Sequence, residues 1–212
     1  MTSAMTIEYI AAKPDRTGRF LVRFAGGRTL RLYRQTVEDF GLYAGLELSE
    51  QQLSSLEESA SQMSARMRAV RIVSASNVSR QDLKQRLVHK GESEEQAQAA
   101  VEWMEELNLL DDGETARQIV SHCIARGYGP ARAKQALYEK KIPKELWAQA
   151  LEDYPDQSEK MMDFLRSRLG EQPDQREIKR AVDALIRRGH SYGDIRRVLS
   201  RLSMDSEDFL ED

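Results

Sequence analysis

The stretch Arg126-Gly127-Tyr128-Gly129-Pro130-Ala131-Arg132 decides the fold. Gly127 can take the left-handed conformation that ends a helix without a steric penalty. Gly129 is a permissible N-cap. Pro130 fits the first helical position, where its missing N–H costs nothing and its φ is already helical. Tyr128, just before the cap, is placed to staple the new helix to a neighbour. One helix therefore stops here, and the next starts after almost no loop. A shift of 50 positions sets Asn77-Val78-Ser79 on Gly127-Tyr128-Gly129, with Lys84 on Lys134, Gln85 on Gln135, Leu87 on Leu137 and Lys90 on Lys140. A shift of 62 positions the other way sets Gly189-His190-Ser191 on the same turn, with Glu207 and Phe209 on Glu145 and Trp147. Caps, core positions and charges keep one register, which is the mark of an internal repeat.

Around this stretch the chain of 212 residues is 40% apolar and 32% charged, a balance that suits helices with one buried stripe and charged outer faces. Residues 20–24 and 29–33 read as strands joined at Gly26-Gly27, a hairpin with residues 6–10 as a third strand. A hairpin alone is barely stable and must pack on something. Residues 36–40 read as a single helical turn. Ser49 caps a helix with Gln52 as its box partner, and Ser59, Ser61 and Ser64 mark an expected junction. After it come repeats of three helices each. Met63, Met67, Val70 and Val73 open the first, and Ser79 and Ser93 cap its later helices. Ala116, Ile119, Val120 and Cys123 open the second, and Pro143 starts its last helix. Met161, Met162, Leu165 and Leu169 open the third, whose middle helix carries Ile178, Val182, Leu185 and Ile186. The spacings are those of half-buried helices.

The expected architecture is mainly α: three tandem three-helix repeats stacked into an elongated curved rod, preceded by a small N-terminal β-hairpin region. The expected boundaries are 1–48 for the strand region, 49–64 for a connecting helix, and 65–111, 112–156 and 157–212 for the repeats. In the third, a twelve-residue insertion is expected ahead of the shared turn, and the end is acidic.

Net charge is −3, but it is unevenly spread. Residues 66–91 hold seven basic residues against Asp82, and residues 92–114 hold nine acidic residues and no base. Residues 126–141 hold five basic residues against Glu139. A single charge on such helices can be merely solvated or bridged to a neighbour, at under about 1 kcal/mol per pair. Stacked into a stripe of one sign, the same charges steer oppositely charged partners. The candidate partner-binding residues are Arg126, Arg132, Lys134, Lys140 and Lys141, with Arg80, Lys84 and Lys90.

Catalytic, cofactor and metal constellations are not read in this sequence. His89, His122 and His190 lack a spacing that would make a site with Cys123. Gly127-Tyr128-Gly129 is followed by Pro130, which has no N–H to give a phosphate. Asp111-Asp112 reads as a helix cap. The single Cys123 sits on an apolar helical stripe and reads as a small core residue. Tyr128 and Trp147 read as packing rather than base-stacking residues. With no apolar run of about 18 residues and no charged-then-apolar leader, a cytoplasmic protein without a membrane span is expected. Met5 is an alternative start to Met1.

Several motifs now carry a resemblance: Leu107-Asn-Leu-Leu110-Asp111-Asp112 leading into a helix, Arg126-Gly-Tyr-Gly-Pro130, Leu137-Tyr-Glu-Lys140-Lys-Ile142, Ala150-Leu151 and Arg187-Arg-Gly-His190-Ser191. In this order and spacing they resemble the RecX regulators of the RecA recombinase. Leu46-Glu-Leu-Ser49-Glu50 after the hairpin is similar to the front of longer members. The resemblance implies nine helices in three repeats. It implies a monomeric, non-enzymatic cytoplasmic protein that lies in the groove of RecA filaments on DNA. There it modulates, usually by inhibiting, recombinase and co-protease activity in recombination, repair and the SOS response. His190 stands where the family usually has Phe, and Thr115 where an aromatic is common; both are expected to thin local packing. Two other functions fit the same residues: a direct nucleic-acid binder, with weak DNA affinity compatible with the main role, and a general helical scaffold for protein partners.

Overall fold

The computed structural model describes residues 4–170 and 173–202, which are mainly helical with a small antiparallel sheet at the start. The sheet holds β1 (Met5–Ile10), β2 (Arg19–Phe24), β3 (Thr29–Tyr33) and β4 (Glu47–Leu48), in the order β3-β2-β1-β4. The β2–β3 turn passes through Gly26 and Gly27, both at positive φ (82° and 86°), where a side chain would be strained. β1 is the expected third strand, and it also pairs with β4, which carries no strand signal in so short a run. Helix α1 (Arg34–Asp39) follows β3.

The hairpin meets its packing requirement on a helix of its own chain. Ile7, Val22, Phe24, Leu32 and Leu48 form one buried cluster with Leu53 and Leu56 of α2 (Glu50–Ala75). Ser49 and Gln52 form the expected capping box at its start. The expected junction near Ser59, Ser61 and Ser64 is absent, because α2 runs unbroken for 26 residues. It stays helical since its first half buries leucines on the sheet and its second half packs along α4 (Glu94–Glu106). Over that second half the buried residues are Ala65 and Ala69, whereas Met63, Met67, Val70 and Val73 are only half-buried.

Three sets of helices follow the tandem pattern. The first is the end of α2 with α3 (Arg80–His89) and α4. The second is α5 (Asp112–Ala125), α6 (Pro130–Glu139) and α7 (Trp147–Leu151), the last entered through Pro143 and one 3₁₀ turn. The third is α8 (Ser158–Arg168), α9 (Gln175–Arg187) and α10 (Tyr192–Arg201). In each set the first and third helices pack together: α2 on α4, α5 on α7, α8 on α10. Ser79, Ser93 and Asp111 cap their helices as expected. Residues 203–212, which include Glu207, Phe209 and the acidic end, lie outside the described residues, as do residues 1–3.

This arrangement corrects the register of the third repeat. Gly189 does not end a first helix; it ends α9, the second. Its counterparts are Gly91 after α3 and Lys141 after α6, all at positive φ (85°, 95° and 56°). Each closes its helix with the same pair of bonds, as in Gly189 N–H to Ile186 O and His190 N–H to Leu185 O. Aligned in this way, the twelve-residue insertion disappears. The sequence misleads here because Gly127, at φ 66°, makes the same closure after α5, so one cap signature occurs after both the first and the second helix of the second repeat.

By backbone contacts the chain divides into two compact units. One takes in the residues up to Ser76 together with Leu83–Leu110, and the other Asn77–Asp82 with the residues from Asp111 onward. The Asn77–Asp82 stretch belongs with the second unit because its side chains are held there. Asn77 donates to Gln118, Asp112 accepts from the Arg80 backbone N–H (2.8 Å) and Nε (3.2 Å), and Lys141 Nζ sits 2.9 Å from Asp82. Asp112 is 2% exposed, so its carboxylate is spent on the start of α3.

Within the second unit the same joint recurs one repeat later and closer. Gly129 N–H donates to Arg188 O (2.9 Å), and Ala131 N–H to Gly189 O (3.3 Å). A Cβ on Gly129 would collide with the Gly189 carbonyl, and one on Gly189 with the Arg132 backbone. His190 is buried, and its Nε2–H donates to Gly127 O (3.0 Å). It therefore adds a bond to the joint rather than thinning it. Arg188 lies over the Tyr128 ring at 5.5 Å and the Phe164 ring at 4.6 Å. Thr115, at the other departure, is buried on α5.

Among the described residues no helix is long and apolar enough to cross a membrane. Replacing Gly129 or Gly189 by Ala should lower the melting temperature of the second unit by about 6 °C or more, a cost of about 3 kcal/mol from backbone overlap. Gly193→Ala, which meets only Ser191 Oγ at 3.8 Å, should leave it within about 2 °C. Burial holds the His190 pKa below its ordinary value, against the opposing bond to Gly127, while the Arg188 charge lowers it further. The unfolded chain therefore takes up this proton first. Stability should be flat above about pH 6.5 and fall as pH drops below it. In denaturant titrations across pH, His190→Phe should remove that component.

Candidate partner-binding surface

The predicted basic residues separate by what holds them. Lys84 and Lys90 belong to the first unit, and Arg80 with the middle-repeat residues to the second. Arg80 is tied to Asp112 and Lys141 to Asp82, as described above. Lys84 lies 3.3 Å from Glu94, and Arg132 lies 3.1 Å from Glu139. The acidic segment after Gly91 thus partly serves the basic one before it, with Arg68 pairing to buried Glu92 (3.2 Å) as another case. These residues build the repeats. Arg126, Lys134, Lys140 and Lys90 have no carboxylate within ion-pair distance among the described residues.

Helix α6 sets the geometry of the surface. Ala133 and Leu137 are its buried residues, and Leu137 joins Ala116, Val120 and Ile142 in the second-repeat core. Ala131, Lys134, Gln135 and Tyr138 are exposed along the opposite side. Their spacing of three and four places them on one stripe. Among the described residues Tyr138 is the most exposed large apolar side chain, at 68%. It follows Lys134 by one helical turn. Lys140 caps the end of α6 and Arg126 the end of α5.

The remaining flagged residues are structural. Trp147 Nε1–H donates to Ile142 O (3.0 Å), and Tyr154 O–H to Tyr128 O (2.8 Å). Burial pushes the Tyr154 hydroxyl up to about 12, so it keeps its proton. Cys123 is buried, and burial raises its thiol pKa, which makes it a poor nucleophile. Asp111 accepts from the Gly113 and Glu114 N–H groups, which hold its carboxyl below the usual range. No cluster of metal-ligating side chains occurs among the described residues. Sequence reasoning did not single out Tyr138 as an exposed ring on this stripe. The available signal was its place one turn after Lys134 and one residue after buried Leu137, which aims it outward.

Comparison with known proteins gives the context of this surface. Residues 111–151 match the family model described as RecX, second three-helix domain. The regulatory protein RecX of Stenotrophomonas maltophilia is 34% identical over 122 residues, 56% of this chain and 75% of that protein. The regulatory protein RecX of Vibrio parahaemolyticus is 27% identical over 146 residues, covering 65% and 91%. Among solved structures, one of a regulatory protein RecX superposes with a TM-score of 0.65 at 22% identity, over 92% of this chain and 99% of that one. RecX from Lactobacillus salivarius gives a TM-score of 0.59 at 21% identity, over 68% and 97%. The fold is thus shared over nearly the whole length.

Because Lys134 and Lys140 have no such ion pair while Lys141 and Arg80 are bonded into the second unit, the substitutions should divide. Lys134→Glu with Lys140→Glu should leave thermal stability within about 0.5 kcal/mol. Arg80→Ala, which strips the buried Asp112 of its guanidinium, should cost about 1–3 kcal/mol in urea unfolding.

Proposed function

This chain belongs to the RecX family of regulatory proteins, and we propose that it acts by binding RecA filaments on DNA, along the filament groove, and inhibiting recombinase and co-protease activity. The repeats supply successive weak contacts that add as avidity along a repeating partner. The observation that carries the reading is the outer stripe of α6, where Lys134 stands one turn from uncovered Tyr138. Tyrosine beside a free cation is the composition of an interface hot spot, since it desolvates a large ring while keeping a polar tip. Arg126 and Lys140 extend the charge at the helix ends. A curved stacking of the three repeats and a cytoplasmic location belong to the same reading.

The test separates docking from folding. Lys141 and Arg80 are left intact, because they hold the structure. Tyr138→Ala and the double variant Lys134→Glu with Lys140→Glu should each weaken co-sedimentation with RecA filaments on single-stranded DNA by about tenfold or more, equivalent to about 1.4 kcal/mol. Inhibition of the filament ATPase should weaken in parallel. Wild-type inhibition by both variants would refute the assignment of this surface.

A further inference from the structure

The outer face of the N-terminal sheet takes no part in the function above, yet it has a consistent chemistry. The inward side of β1, β2 and β3 is filled by Ile7, Val22, Phe24 and Leu32. Strand alternation turns Leu21, Arg23 and Arg31 outward, and a β-bulge between Ile7 and Tyr9 brings Tyr9 onto the same face. The register places Tyr9 beside Arg23, Arg23 beside Thr29, and Leu21 beside Arg31. Tyr9 is 44% exposed, Leu21 38%, and the Arg31 side chain 63%. Residues 4–34 carry seven basic residues against Glu8 and Asp15, in a chain whose net charge is −3.

Two of the seven meet acids beyond this segment, Arg28 at Glu57 and Arg34 at Glu38, which leaves Arg23 and Arg31 as the arginines of the outer strand face. Asp15 lies 3.9 Å from Arg19 and 3.8 Å from Arg31, too long for hydrogen bonds, and its Oδ1 is taken by Thr17 and the Arg19 N–H. Arg23 has no carboxylate within ion-pair distance among the described residues. Its guanidinium instead rests over the Tyr9 ring, 5.4 Å from the centroid. At an exposed site that contact is worth about 0.5–1 kcal/mol and is cheaply exchanged.

We propose that this face binds single-stranded nucleic acid, with phosphates on Arg23 and Arg31 and a base stacked on Tyr9 beside Leu21. The charge complements a polyanion, and the accessible ring complements a planar base. A duplex hides its base faces and would leave Tyr9 and Leu21 idle. An acidic peptide would use the arginines but give the ring nothing flat to stack on. The proposal does not rest on the recombinase reading, and its test omits the recombinase.

Full-length protein is titrated into a fluorescein-labelled oligo-dT of about 20 nucleotides, by anisotropy, across about 50–200 mM salt. Wild type should bind. Arg23→Gln with Arg31→Gln should weaken binding about tenfold or more and flatten the salt slope by about 1, as expected for lost phosphate contacts on a single strand. Tyr9→Ala should lose about tenfold at unchanged slope, and Tyr9→Phe, which keeps the ring, should bind like wild type. Lys134→Glu with Lys140→Glu should stay within about twofold, which separates this face from the α6 surface. Matching melting curves check that these exposed substitutions leave the fold intact. No binding at the lowest salt, or wild-type affinity in the sheet variants, would overturn the proposal. Equal affinity for duplex DNA, or equal displacement by polyglutamate, would overturn it in favour of a general acidic surface.

Discussion

The second unit depends on one close approach, backbone against backbone, between the turn that starts α6 and the turn that ends α9. Gly129 and Gly189 meet without side chains between them, and hydrogen bonds run from the first turn to the Arg188 and Gly189 carbonyls. The bond from His190 to Gly127 and the Arg188 stack on Tyr128 fasten the same place. Such a contact is short-range and steep, so it fixes how successive repeats meet far more tightly than apolar area alone could. One repeat earlier, Ser79 and Lys141 occupy the corresponding positions, and the ion pair of Lys141 with Asp82 fastens that joint.

That joint explains how charge is shared between structure and function. Arg80, Lys84, Arg132 and Lys141 meet acids inside the fold, so each has its field largely matched at close range. Lys134, Lys140 and Arg126 keep theirs for solvent or a partner. A surface meant to engage another macromolecule should be rich in charges that the fold does not need, and α6 has them beside its exposed tyrosine. The sheet divides in the same way: one face is an apolar cluster on α2, the other a set of arginines around Tyr9.

Local chemistry was legible before any coordinates. The Gly26-Gly27 hairpin, the Ser49, Ser79 and Ser93 caps, the Asp111 cap and the Gly129-Pro130 start all follow from rules that act within a few residues. The family resemblance in the turn motifs also held. What was not legible was long-range or ambiguous. The Gly189 turn carries the same closing signature as the Gly127 turn, so alignment alone chose the wrong partner for it. The serines near residue 60 look like a break, yet α2 continues because both halves have something to pack on. The bonds of Arg80 to Asp112 and Lys141 to Asp82 span 32 and 59 residues, beyond any local pattern. They divide the predicted basic set into structural and free members, a division the sequence does not contain.

The central claim is that the outer face of α6 meets the recombinase itself. A photo-crosslinking phenylalanine analogue at position 138 tests it most directly, with the protein added to RecA filaments on single-stranded DNA. The account predicts a covalent product with RecA that forms on the assembled filament and is lost when Lys134 and Lys140 are reversed in charge. Illumination that yields no RecA product, or only product joined to the DNA, would contradict it.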